Sequence, residues 1–90
     1  MSKEKPCGTI MAIMVDRRVD VAPTVQTVLT KHGCAIRMRI GLHETDAEYC
    51  ANWGLILLQV CGNCGDVEAL TNDLKAIEGV KVKSMCLEFE

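Results

Sequence analysis

Thr9-Ile-Met-Ala-Ile-Met-Val15 and Leu55-Ile-Leu-Leu-Gln-Val60 are the stretches on which the fold turns. Each is a short apolar run, and Asp16-Arg17-Arg18 closes the first. Runs of this length and composition read as buried strands. Downstream of the first run, Val21, Val25, Val28, Leu29 and His32 fall at helical spacing. Pro23 suits the opening turn of that helix and Gly33 its C-terminal cap. Ile36, Met38, Ile40 and Leu42 then alternate with Arg37, Arg39 and Gly41, the period of a strand with one apolar face. Residues 43–54 are polar and irregular, a hairpin loop. Past the second run, Asp66 can cap a helix whose apolar face is Val67, Leu70, Leu74 and Ile77, with Gly79 as its stop. Val80 and Val82 alternate with Lys81 and Lys83 in a last strand.

The halves repeat. A gap-free shift of 46 residues carries Ile10, Ala12 and Met14 onto Ile56, Leu58 and Val60. It also carries Val21 and Val28 onto Val67 and Leu74, Gly33 onto Gly79, and Ile36 onto Val82. Two βαβ halves with right-handed crossovers make a βαββαβ, ferredoxin-like α+β fold. Its four-stranded antiparallel sheet has the order 4-1-3-2, with two helices on one face. Residues 1–8 are expected to be an N-terminal tail and 9–90 a single domain.

The central strands are apolar on both sides, since Ile10, Ala12 and Met14 oppose Met11, Ile13 and Val15. Two helices cover one face, so the other would leave an apolar patch larger than monomers tolerate. A homo-oligomer paired through the open sheet face is expected, a dimer or a pair of dimers. Half the residues are apolar, at 49%, with only one Trp, one Tyr and one Phe, so the core must be aliphatic. A net charge of -2 argues against direct nucleic-acid binding. Met1–Pro6 is polar, and no apolar run approaches a membrane span, so a cytoplasmic protein is expected. In a reducing compartment six cysteines suggest buried thiols, metal ligands or redox chemistry.

Three constellations could carry chemistry. Cys61-Gly-Asn-Cys64 lies between a strand end and a helix start, where the helix dipole favours thiolate. The topology brings Cys7, Cys34, Cys61, Cys64 and Cys86 toward one sheet edge. Cys7, Cys34, Cys61 and Cys64 could there hold a metal ion or an iron–sulfur cluster, or pack as small hydrophobes. His43 and Cys50, with nearby acids, form an alternative metal pair at the opposite end, or part of a solvated hairpin. Asp16, Arg17, Arg18 and Asp20 join the first strand to its helix, and the paired Arg could clamp a carboxylate or phosphate. A solvated turn with local Asp–Arg pairing is the plain alternative. No catalytic assembly is visible, so an enzyme is not expected.

Val15-Asp16-Arg17-Arg18, residues 25–34 (Val-Gln-Thr-Val-Leu-Thr-Lys-His-Gly-Cys), 37–43 (Arg-Met-Arg-Ile-Gly-Leu-His) and 78–83 (Glu-Gly-Val-Lys-Val-Lys) resemble the iron-only hydrogenase system regulator family. The resemblance runs over residues 8–87. It implies an ACT-like domain, similar to the ligand-binding domain of nickel-responsive repressors. It also implies a regulatory role in the hydrogenase maturation system of anaerobic bacteria. Small-ligand or metal binding at a subunit interface would serve that role. A cysteine-based redox or iron–sulfur sensor, or a non-enzymatic assembly factor, would serve it otherwise. Transcription regulation would need a protein partner to supply the DNA contact.

Overall fold

Both apolar runs become the inner strands of one sheet. The computed structural model describes residues 8–42, 52–61 and 64–87. In chain order these form β1 (Thr9–Val15), α1 (Arg18–Lys31), a 3-10 turn (Gly33–Ala35), β2 (Ile36–Leu42), β3 (Gly54–Val60), α2 (Cys64–Lys75) and β4 (Val80–Cys86). The sheet order is β2-β3-β1-β4 and every neighbouring pair is antiparallel. This is the order 4-1-3-2 read from the other edge, the ferredoxin-like arrangement. Among the described residues no helix is long and apolar enough to cross a membrane.

Met11, Ile13, Val15, Leu58, Val60 and Val80 line the covered face of the sheet and are buried. Val21, Val25 and Leu29 of α1 and Leu70 and Leu74 of α2 close over them in one cluster. Every member is aliphatic or Met, and each such burial contributes about 1.5–3 kcal/mol.

Strand register corrects the 46-residue repeat. Each β1–β3 pair joins an odd position to an even one, as in Met11 with Leu58 and Ile13 with Ile56. An even shift therefore crosses the sheet: it carries the open-face Met14 onto the core residue Val60. A shift of 45 carries Met11, Ile13 and Val15 onto Ile56, Leu58 and Val60, and the buried Val25 and Leu29 onto the buried Leu70 and Leu74. The extra residue of the second half falls between Leu74 and Gly79.

Helix ends also differ from the expected ones. α1 starts at Arg18, well before Pro23, because the Arg17 carbonyl accepts N–H groups from Asp20 (2.9 Å) and Val21 (3.0 Å). Pro23 lies inside the helix, where it cannot bond the carbonyl four residues back. α1 stops at Lys31 and the chain tightens into the 3-10 turn, so Gly33 opens that turn rather than capping the helix. Asp66 sits in the first turn of α2, which begins at Cys64, so its carboxylate complements the helix dipole without being the cap. Gly79 does adopt a left-handed conformation, with φ 87°. Its carbonyl accepts the Asp16 N–H at 2.8 Å, tying the entry of β4 to the exit of β1.

The two helices are joined at one acid. Asp73 of α2 takes His32 Nε2 at 2.7 Å and Lys31 Nζ at 3.2 Å on the same oxygen. The hydrogen bond from His32, then that from Lys31, hold its carboxyl below the usual 3.8. A depressed carboxylate stabilises the fold above its unfolded value, and that contribution fades as pH falls through the folded value. Asp73→Asn should therefore lower the urea midpoint modestly at about pH 6, and match the parent once pH drops well below 3.8. Midpoints that differ equally at both pH values would contradict this.

Candidate functional site

The β1–α1 connection gathers the charged residues singled out in the sequence, but does not aim them together. Asp16 Oδ1 accepts the Arg17 N–H at 2.9 Å. Arg17 has φ 48° and ψ 57°, a left-handed backbone that costs a non-glycine residue about 1–2 kcal/mol. Its guanidinium faces Glu78 at 3.6 Å, in the turn before β4. Arg18, the first residue of α1, takes different neighbours. Its backbone N–H bonds the Asn52 carbonyl at 2.6 Å and its Nε is shielded from water. Asp20 is exposed on the first turn of α1. The adjacent Arg pair is thus split between two neighbours, and Arg18 rather than Arg17 lines the cavity described next.

That cavity has a volume of about 270 Å³ and lies between the first half of α1 and the β2–β3 corner. Val15, Arg18, Ala22, Gln26, Gly41, Gly54, Leu55 and Ile56 line it. Arg39, on the helix-facing side of β2, hydrogen-bonds through Nη2 to Gln26 Oε1. Sequence reasoning found Arg18 but missed Ala22, Gln26, Gly41 and Gly54. The available signal was the i, i+4, i+8 series Arg18, Ala22, Gln26, one stripe beside the buried Val21, Val25, Leu29.

At the opposite end of the strands the cysteines converge in part. The Cys61 N–H bonds the Ala35 carbonyl at 2.6 Å, which places Cys61 beside the 3-10 turn holding Cys34. Cys86 pairs with Thr9, and Thr9 with Val60, so it ends on the same edge. Cys34 and Cys86 are exposed free thiols, whereas Cys61 is disulfide-bonded. Cys64 opens α2; its side chain and all of Cys7 lie outside the described residues. Among the described residues no three metal-ligating groups come together. His43 and Cys50 also lie outside the described residues.

The uncovered sheet face is largely apolar across β1, β3 and β2, with Gln59 of β3 and Lys81 and Lys83 of β4 as its polar members among the described residues of those two strands. Ile10, Ala12 and Met14 of β1 lie beside Leu55 and Leu57 of β3. β2 adds Met38 and Ile40, at 40% and 43% exposure, and turns Arg39 and Gly41 toward the helices. A register shift between Ile36 and Met38 makes this possible, since Ile36 still packs on the core.

Residues 8–84 match a family described as "TM1266-like: Iron-only hydrogenase system regulator, putative". No curated protein matches the chain. Among solved structures, that of the uncharacterized protein TM1266 from Thermotoga maritima is similar at 28% sequence identity and a TM-score of 0.77. The alignment covers 94% of this chain and 100% of that one.

Proposed function

The chain belongs to the TM1266-like family, described as a regulator of the iron-only hydrogenase system, and from that membership we propose that it is a non-enzymatic cytoplasmic module that senses a small ligand. The observation that carries this reading is the Arg18 cavity at the β1–α1 corner. Gly41 borders the cavity from one face of β2, and Ile40, next along the strand, belongs to the apolar face on the other. Occupancy can therefore shift β2 and with it a subunit contact made through the open sheet, as a dimer or a pair of dimers. The assembly then passes the signal to a regulatory or maturation protein. An ACT-like mode, with the ligand close to a subunit interface, agrees with this layout.

A second reading is favoured by one observation, the disulfide at Cys61. Two sulfurs brought together at this edge are what thiol–disulfide exchange needs, and the same pair, once reduced, could serve as cluster ligands. One anaerobic preparation separates the two. Melting temperature is read across a panel of metabolites and divalent metals, and iron, zinc and reactive thiols are measured on the same sample. The ligand reading expects a saturable rise that Arg18→Ala removes. No rise across the panel, together with thiol loss on mild oxidation or bound iron, would overturn it in favour of the cysteine reading.

A further inference from the structure

Bonded and free sulfurs meet at the cysteine edge. Cys61, directly after β3, is in a disulfide. Cys34 and Cys86 are exposed free thiols, so neither is its partner. A thiolate beside a disulfide exchanges with it when its sulfur can reach the bond. The two free thiols differ in that reach.

The β2–β3 pairing sets the distance for Cys34. Ile36 pairs with Val60, and one step outward the Cys61 N–H bonds the Ala35 carbonyl at 2.6 Å. Cys61 is therefore the cross-strand neighbour of Ala35, with Cα atoms about 5.5 Å apart. Cys34 is one Cα step of about 3.8 Å from Ala35. A step of that size, taken across the pairing, leaves Cys34 near the upper end of the about 4.4–6.8 Å that a disulfide spans. The Ala35 N–H on the His32 carbonyl, at 3.0 Å, closes the 3-10 turn that holds Cys34 there. Cys86 is farther off. It pairs with Thr9, and Thr9 pairs with Val60, so β1 lies between Cys86 and β3. Two strand spacings are about 10 Å, beyond a disulfide's span.

We infer that Cys34 is the exchanging thiol of this edge, taking Cys61 from its present partner to form a Cys34–Cys61 disulfide. The Cys34 thiolate attacks the Cys61 sulfur. The Cys34–Cys61 bond forms, the old S–S bond breaks, and its electron pair leaves on the partner sulfur. That thiolate takes up the proton Cys34 released. One disulfide replaces another, so no outside oxidant or reductant is consumed. The inference rests on the cysteine reading above and adds which thiol exchanges. The new bond pins the start of β2 to the end of β3, beside the register shift between Ile36 and Met38. β2 is an edge strand with β3 as its one neighbour in the sheet, and it carries Met38 and Ile40 of the open face. Exchange at Cys34 therefore acts on the strand that presents those residues.

Disulfide mapping of the full chain tests this. The oxidised protein is held without added thiol at about pH 8.5, where thiolate is abundant. It is then quenched with acid, alkylated, digested and read by fragment-ion mass spectrometry. The Cys34–Cys61 linkage should appear in the parent and in Cys86→Ser, at the expense of the original Cys61 bond and with total free thiol constant. It should be lost in Cys34→Ser, whose far-UV circular dichroism should stay native. In Cys61→Ser, Cys34 should alkylate as a free thiol. A parent without the linkage, or Cys34 bonded to another cysteine, would overturn the inference. Glutathione titration separates the two levels. A Cys61 disulfide that reduces and reforms while Cys34 stays free rejects Cys34 and retains the cysteine reading. An oxidised protein with no disulfide at Cys61 rejects both.

Discussion

Leu58→Ala should destabilise the domain by about 2–5 kcal/mol, the range for a buried leucine whose cavity cannot collapse. Leu58 is fully buried in the middle of β3, paired with Met11 on one side and Arg39 on the other. A domain of this size has a total stability at the lower end of about 5–15 kcal/mol, so much of it would be lost. Urea unfolding followed by circular dichroism should show a lower midpoint with a similar slope. Leu57→Ala, one position along and on the open face, is the control, and at low protein concentration should cost far less. The pair tests the facing of β3 directly. If Leu57→Ala proved the costlier, the sheet would be covered on the opposite face from that described here.

Leu57→Glu should convert an associated protein into a monomer. Leu57 sits at the centre of the open face, between Ala12 and Ile40 in the register. Sheet-to-sheet pairing about a two-fold axis would bring the two new carboxylates toward each other and strip them of water, a cost of several kcal/mol per ion. Sedimentation equilibrium of the parent should give a multiple of the chain mass, and of the variant the chain mass alone. Because association shifts apparent stability by mass action, the parent's melting temperature should also rise with concentration and the variant's should not. A parent that is monomeric at every concentration, or a variant that still associates, would remove the open face from the proposed function.

Topology was legible because it depends on local patterns. The apolar runs 9–15 and 55–60 are too short for helices. The helical spacing of Val21, Val25 and Leu29, and of Leu70 and Leu74, leaves one arrangement of βαβ halves. Element ends were less legible. Pro23 looks like a first-turn proline, but capping at Arg17 uses backbone hydrogen bonds with Asp20 and Val21 that no side chain announces. The repeat misled for a related reason. Gly33 and Gly79 hold the 46-residue offset, while the core strands and helices obey 45. Antiparallel pairing of odd with even positions decides that, and parity belongs to the pair rather than to either strand.

Of the candidate site, Arg18 could be read from sequence and its setting could not. The sequence by itself determined the class of fold, the order of the sheet and an excess of apolar surface on the central strands, because these follow from periodicity and composition. Only the tertiary structure decided which face each residue takes, where the guanidinium groups of Arg17 and Arg18 part, and that two glycines under Ala22 leave a cavity. Those outcomes depend on packing between segments far apart in the chain. A glycine in a strand pattern reads as a weak residue in sequence, and becomes the edge of a cavity only once a helix is laid across it.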